Sequence, residues 1–554
     1  MPEISTSKFS RIPEYIWNFL ENHPWLFMTV AVLAQTWFTL NNRALWFSDE
    51  VRYGNAYQNL IHHGNWLVLS LNGMPYPDKP PVYFWFLWLI DTLTPADMPT
   101  VFFIGAALSG LFFLFAAYAL AKALGFNRRT SLISTTILLS TLFLMALFHY
   151  SRMDLLFGAC ITASHACFFR AFSSDQQGKW PIGGFAMAGL ATLIKGPLGF
   201  LFPLVTILIW LVWRGRVREM FSKPMLKGLG VMLGMLLLWI GGVIITQGPS
   251  FLLNTVIGKQ IVQRATHTFH HREPLLYYFI ALPLAWLPWT LLPFALPLKR
   301  LVSPGFWGTA VKERTNGNGK SSFLWIMFLG MFTFLSSLSG KVLIYILPMF
   351  PAMALLSAQA LASTDTRHTR RFWTFVAGFL VLLGMGMFVG ADFAPVQTPV
   401  RGLALGAAIL CCGGILLFMR RSAPVSGNLL CLVLTVIVWM YPIGLLTAPS
   451  LDPAMSPKAE ALLIKQYVDK GYTPMSYKIY SGIFTYYAQH DLAEIDHLDE
   501  IEKRIAETDK VVLAIRKRHW DDWENRPAYL IPVHEQIISG DTYLLVVGNR
   551  IAGS

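Results

Sequence analysis

Apolar residues come in long runs divided by short polar breaks. Thirteen runs, centred on residues 24–43, 99–121, 130–149, 154–170, 181–195, 197–213, 229–247, 276–297, 321–338, 342–362, 372–391, 402–419 and 425–446, approach the length of a bilayer-crossing helix, which is about 20 residues. The first is too long, and lacks the small-residue cleavage site, to be a signal peptide, so it predicts a retained helix. A further run, Pro80 to Ile90, is short, begins with Pro80-Pro81 and ends at Asp91. Beyond residue 447 the pattern changes. Ala459 to Tyr467 has helical spacing, Val511 to Ile515 reads as a strand, and Gln536 to Val547 folds back around Ser539-Gly540-Asp541 as a hairpin. The pattern therefore predicts a polytopic α-helical membrane protein of about 13 transmembrane helices over residues 1–447, with a first outer loop at 44–98, and a small soluble α/β domain over 448–554.

Composition agrees with this division. Of the 554 residues, 54% are hydrophobic and only 14% charged, against about 25% charged in soluble domains. All five cysteines lie inside apolar runs, which argues against a disulfide framework or a thiolate zinc cluster. The net charge of +13 is divided unevenly: residues 1–447 carry 32 Lys and Arg against 15 Asp and Glu, while residues 448–554 carry 12 against 16. That excess sets orientation rather than marking a nucleic-acid binder, because cations accumulate in cytoplasmic loops. With the N-terminus cytoplasmic, 22 cations fall inside and ten fall in the outer loops before residue 448. Omitting the Pro80 to Ile90 run from the spans keeps this bias intact.

The ten outer cations are the informative ones, since most cluster with carboxylates or histidines against the prevailing bias. One cluster holds Asp49, Glu50 and Arg52, followed by Asp78 and Lys79 before the proline pair. Others are His149 to Asp154, Lys195-Gly196-Pro197, Lys259 to Pro274 with Arg264, His267, His270 and His271, and Lys341, which a regular helix would set on the same face as Tyr345. Each has an ordinary explanation: helix caps for the acids, an interfacial anchor for Lys195, solvated histidines. Together they place cations and carboxylates on one side of the membrane, as chemistry on a phosphorylated, membrane-embedded substrate requires. Cations neutralise the phosphate and carboxylates align or deprotonate an acceptor.

The motifs DEVRY (49–53), YPDKPP (76–81), TLIKGP (192–197), HHREP (270–274), PWTLLP (288–293) and SGKVLIYILPMFP (339–351), with Asp154 after the third span, resemble those of the bacterial lipid A aminoarabinose transferases. These belong with the protein O-mannosyltransferases among the polyprenyl-phosphate-sugar-dependent glycosyltransferases of the GT-C fold. The resemblance covers residues 40 to 350 and implies juxtamembrane helices in the first outer loop, Pro80 to Ile90 among them, and a C-terminal periplasmic domain. It further implies an inner-membrane enzyme that moves 4-amino-4-deoxy-L-arabinose, or a similar sugar, from undecaprenyl phosphate to lipid A by an inverting displacement at the periplasmic face. Carried over, Asp49 is the principal catalytic carboxylate with Asp154 assisting, and Arg52, Lys79, Lys195, Arg264, Lys341 and Tyr345 hold the donor phosphate. A divalent cation such as zinc would sit at Asp78 with His270 or His271.

This sequence has Asp78-Lys79-Pro80-Pro81 where the lipid A enzymes carry Glu-Lys-Pro, a departure toward the mannosyltransferases that keeps a protein or another glycan open as acceptor. A lipid or ion transporter would use the outer cations as a vestibule, but transporters usually show internal repeats and broken polar helices near the midplane. Here no repeat is evident and the polar residues gather at the outer ends.

Overall fold

The computed structural model describes residues 8–173, 177–253, 273–296, 304–305, 308, 319–390 and 400–550. Among these residues seven helices are long and apolar enough to cross a membrane, or up to nine when two sharply bent helix pairs each count as one span. The chain is a multi-pass membrane protein.

Both bends fall within runs whose composition predicts one uninterrupted helix. Arg128–Leu139 and Leu142–Phe148 meet at 72°, where Ser140 and Thr141 return their hydroxyls to the carbonyls of Thr136 and Ile137. Such back-bonding competes with the helical ladder. Leu142 N donates to Leu287 O and Trp289 Nε1 to Ser140 Oγ, so the first bend is latched to the second. That second bend, 109° between Tyr277–Ala285 and Trp289–Ala295, includes Pro288, which has no N–H to continue a helix.

The segment from residue 44 to 98 is highly structured. The Asp49–His63 helix carries its acids in the first turn and His62 and His63 in the last, matching the helix dipole. A two-stranded hairpin follows, β1 (Leu69–Leu71) and β2 (Met74–Tyr76), closed by Asn72-Gly73 with both residues at positive φ, the demand of a type I′ turn. After Pro80-Pro81 comes the apolar Val82–Leu93 helix, whose 12 residues are too few to span a bilayer. It lies against the Met98–Ala123 helix, where a Cβ at Gly105 would come within 2.5 Å of Leu87 Cδ2. Hydrogen bonds fix its position: Tyr57 Oη donates to Asp91 at 2.7 Å and Tyr83 Oη lies 2.9 Å from Ser151 Oγ.

The C-terminal segment forms a five-stranded mixed sheet in the order β4-β3-β5-β7-β6, from β3 (Thr473–Tyr477), β4 (Ala493–Ile495), β5 (Lys510–Arg516), β6 (Leu530–Ile538) and β7 (Asp541–Asn549). β3 runs parallel to β4 and β5, while β7 is antiparallel to β5 and β6. Alternate residues of β5 face two cores. Val511, Leu513 and Ile515 join Ile501, Trp520 and Trp523, whereas Val512 and Ala514 join the large core that continues into the membrane helices. The segment is bonded to the approach to Asp49: Asp452 accepts from Trp46 Nε1 and Ala44 N, Phe47 N donates to Met455 O, and Leu45 N donates to Tyr487 Oη.

Candidate active site

Three helix ends converge on the site. Asp49 opens the first-loop helix, Asp154 opens the Asp154–Ser173 helix, and Lys195 ends the adjacent Trp180–Lys195 helix. Acids at N-termini and a cation at a C-terminus are favoured by the dipoles, and packing of the last two helices brings Asp154 and Lys195 into a direct ion pair. Gly196, at φ 91°, stops the helix immediately after Lys195.

The charges alternate in a line. Arg52 Nη1 lies 4.0 Å from Asp49 Oδ1; Asp49 Oδ2 is 2.7 Å from Arg152 Nη2; Arg152 Nε is 3.1 Å from Asp154 Oδ2; Asp154 Oδ1 pairs with Lys195. Asp154 is only 2% exposed. Lys195 Nζ also sits 4.6 Å from the ring centroid of Tyr345, a cation–π contact. Burial opposes the charge on Arg152, but Asp154 and Asp49 outweigh it and raise its pKa. Lys79 is held among the same groups. Burial and then the nearby Lys195 lower its pKa to about 8, against the opposing pull of Asp49, Asp154 and Asp78.

The structure thus brings together Asp49, Asp154, Arg52, Lys79, Lys195 and Tyr345. Lys341 makes other contacts. Its Nζ donates to the carbonyls of Glu273 at 3.0 Å and Leu338 at 2.5 Å, tying down the end of the Lys320–Ser337 helix. The shared helical face expected for Lys341 and Tyr345 is absent because Val342 is extended and Leu343–Met349 is a 3-10 helix. Arg264, His270 and His271 lie outside the described residues. Of the expected cation ligands only Asp78 is described, and no group of three or more His, Cys, Asp or Glu gathers among the described residues.

Two residues named in the sequence clusters carry roles that the sequence did not assign. Arg152 joins the two carboxylates; its place two residues before Asp154 in the outer cluster was the available signal. Glu50, adjacent to Asp49, is fully buried, pairs with Arg43 through both oxygens at 2.8 and 2.9 Å, and accepts from Ser151 N at 2.7 Å. It locks the Asp49 helix to the turn that carries Arg152. The two adjacent acids thus divide the work, one holding the frame and the other facing the charged line.

The two carboxylates are opposed by four cations, Arg52, Arg152, Lys195 and Lys79. Even with Asp78 counted, positive charge is in excess. Such a site suits an anionic group whose charge grows as a bond breaks, with a carboxylate beside it to orient the incoming acceptor.

The fold matches a solved structure along nearly its whole length. It aligns with the crystal structure of ArnT from Cupriavidus metallidurans bound to undecaprenyl phosphate over 94% of this chain and 97% of that one, at TM-score 0.73 and 17% identity. For the same protein in the apo state the TM-score is 0.74. Residues 78–242 match the dolichyl-phosphate-mannose-protein mannosyltransferase family. In sequence the chain is similar to the undecaprenyl phosphate-alpha-4-amino-4-deoxy-L-arabinose arabinosyl transferase of Yersinia enterocolitica, at 30% identity over 342 residues, 60% of this chain and 58% of that protein. With the enzyme of Pectobacterium carotovorum it shares 27% over 400 residues, 69% of this chain and 68% of that one. The match thus spans under two thirds of the Yersinia protein's length.

Proposed function

We propose that the protein is an integral membrane glycosyltransferase that moves 4-amino-4-deoxy-L-arabinose, or a similar sugar, from undecaprenyl phosphate to lipid A. The observation that carries this reading is the alternating line from Arg52 to Lys195, with its cationic excess, in a chain related to transferases of that name. In the reaction an acceptor oxygen attacks the anomeric carbon from the face opposite the polyprenyl phosphate. The carbon–oxygen bond to that phosphate breaks, the electron pair stays on the leaving group, and the configuration inverts. Lys79, Lys195 and Arg52 neutralise the departing phosphate, with Arg264 and Tyr345 assigned to the same task. Asp49 orients the acceptor, and Asp154 holds Arg152 and Lys195 in place. A lipid A phosphate is already anionic near neutral pH and needs orientation only; a hydroxyl acceptor would also need Asp49 as a base.

We assign the chain thirteen crossings of the bacterial inner membrane, a cytoplasmic N-terminus, a catalytic part at 1–447 and a periplasmic part at 448–554. The charge bias of the loops supports this arrangement. A divalent cation at Asp78 with His270 or His271 is a separate proposal; metal analysis of purified wild type and His271→Ala tests it, and equal metal contents count against it.

The match of residues 78–242 to the mannosyltransferase family favours a second reading, the same donor class with a protein or glycan acceptor. Mass spectrometry of lipid A from cells with and without the gene distinguishes the two. Aminoarabinose-bearing lipid A only in gene-containing cells supports the first reading, and an unchanged profile under expression supports the second.

A further inference from the structure

We propose that Tyr480, with the backbone of Ser481, is a positioning residue for Arg52, so that the C-terminal segment completes the donor-phosphate side of the site. This rests on the reading of Arg52 as a donor-phosphate ligand.

Arg52 is 7% exposed, yet much of its cage comes from the far end of the chain. Its Nε donates to Ser481 O at 2.9 Å, and the guanidinium carbon lies 4.2 Å from the ring centroid of Tyr480 and 5.3 Å from that of Tyr76. The loop supplying these contacts is pinned on several sides. Gly482 N donates to Glu494 Oε1 at 2.9 Å and Lys478 N to Ile495 O at 2.9 Å. Gly482 is at φ 73°, and a Cβ there would come within 2.5 Å of Leu71. Thr485 Oγ1 donates to Asn72 Oδ1 at 3.0 Å. A rigid loop of the C-terminal segment thus rests on the first-loop hairpin and presents a carbonyl and an aromatic ring to one guanidinium.

The consequence lies in the distances to Asp49. Arg152 closes on that carboxylate to 2.7 Å, whereas Arg52 stands off at 4.0 Å. Freed from Ser481 O and Tyr480, the guanidinium would be drawn onto Asp49, since an arginine and a carboxylate form strong charge-assisted bonds when geometry allows. Collapse would remove a cation from the donor phosphate and occupy the carboxylate that the acceptor needs. Holding Nε on a backbone carbonyl leaves the terminal nitrogens for a phosphate oxygen. Tyr480 is itself 45% exposed, so it is not a core residue whose loss would be expected to unfold the chain.

The test uses the full-length protein in lipid nanodiscs, undecaprenyl phosphate as ligand and the undecaprenyl-phosphate sugar as donor, with four variants: Tyr480→Ala, Tyr480→Phe, Arg52→Ala and the double change Tyr480→Ala with Arg52→Ala. Tyr480→Ala is expected to weaken undecaprenyl phosphate binding and raise the donor KM about tenfold, and to lower kcat as well, since the displaced guanidinium occupies Asp49. Tyr480→Phe, which keeps the ring, restores both. In the Arg52→Ala background the Tyr480 change has no further effect. Wild-type binding in Tyr480→Ala, alongside weakened binding in Arg52→Ala, overturns the inference alone, as does an undiminished Tyr480 effect without Arg52. Unchanged binding in Arg52→Ala, or no binding by wild type, overturns the phosphate-ligand reading and the inference with it. Thermal melting of each variant separates these outcomes from loss of fold: a melting temperature lowered equally in the alanine and phenylalanine variants, with no difference in KM between them, also counts against the inference.

Discussion

Arg152 Nη2 lies 2.7 Å from Asp49 Oδ2, and the same side chain reaches Asp154 through Nε at 3.1 Å. One guanidinium therefore bridges two carboxylates in a partly desolvated site. Removing it leaves two like charges without the cation they share. Arg152→Ala is expected to lower kcat/KM by about 100-fold or more, equivalent to about 2.7 kcal/mol. Arg152→Lys should recover only part of this, because an ammonium lacks the planar fork that reaches both partners. Steady-state kinetics check this; wild-type turnover in Arg152→Ala would remove Arg152 from the machinery.

The pH dependence should report Lys79. Its pKa is lowered to about 8 by burial and Lys195, so its charge is nearly complete below about pH 7 and mostly lost above about pH 9. A cation that binds phosphate works when protonated. In wild type kcat/KM for the donor should therefore fall as pH rises through about 8. Lys79→Arg, whose charge persists far above this range, should lose that alkaline limb even if its maximum is lower. An unshifted limb in Lys79→Arg assigns the titration to another group.

How much of this was legible in advance depends on distance along the chain. Asp49, Asp154 and Lys195 could be found because each lies at the outer end of an apolar run, where a charge is costly without a partner. The pairing of Asp154 with Lys195 follows from two neighbouring antiparallel helices. The cage around Arg52 could not be read, since Ser481 lies 429 positions away and its loop carries no motif. The shared face expected for Lys341 and Tyr345 was misjudged for a different reason: helical spacing was extended across Val342, where the backbone is extended rather than helical. The bend at Ser140-Thr141 was hidden because hydropathy counts small polar residues as part of an apolar run, while their hydroxyls compete for helix carbonyls.

Glu50 and Asp49 should respond differently to mutation although they are adjacent. Glu50 is wholly buried with four donors around it, two from Arg43 and one each from Trp46 N and Ser151 N. Glu50→Ala strands the Arg43 guanidinium and should destabilise the protein by about 3–5 kcal/mol. Asp49 is 17% exposed at its side chain, and Asp49→Asn should abolish transfer while leaving the melting temperature within a few degrees. Thermal unfolding and activity measured on both variants check the division; a melting temperature lowered equally in the two would contradict it.

Glu460 should make stability depend on pH at a place remote from the charged line. It is completely buried in the Lys458–Asp469 helix, neither carboxyl oxygen has a hydrogen-bond partner among the described residues, and burial pushes its pKa up to about 8. The folded state therefore prefers the protonated form, whereas the unfolded chain releases this proton near the ordinary glutamate value of about 4.5. Between those values the folded state binds more protons, so stability falls as pH rises from about 4.5 to about 8 and levels off above. Glu460→Gln carries no ionisation cost. Its melting temperature should match wild type near pH 5 and exceed it near pH 8, where the gain is on the order of a few kcal/mol. A difference between the two proteins that is constant across this range would show that Glu460 is ionised throughout and has found a counter-charge.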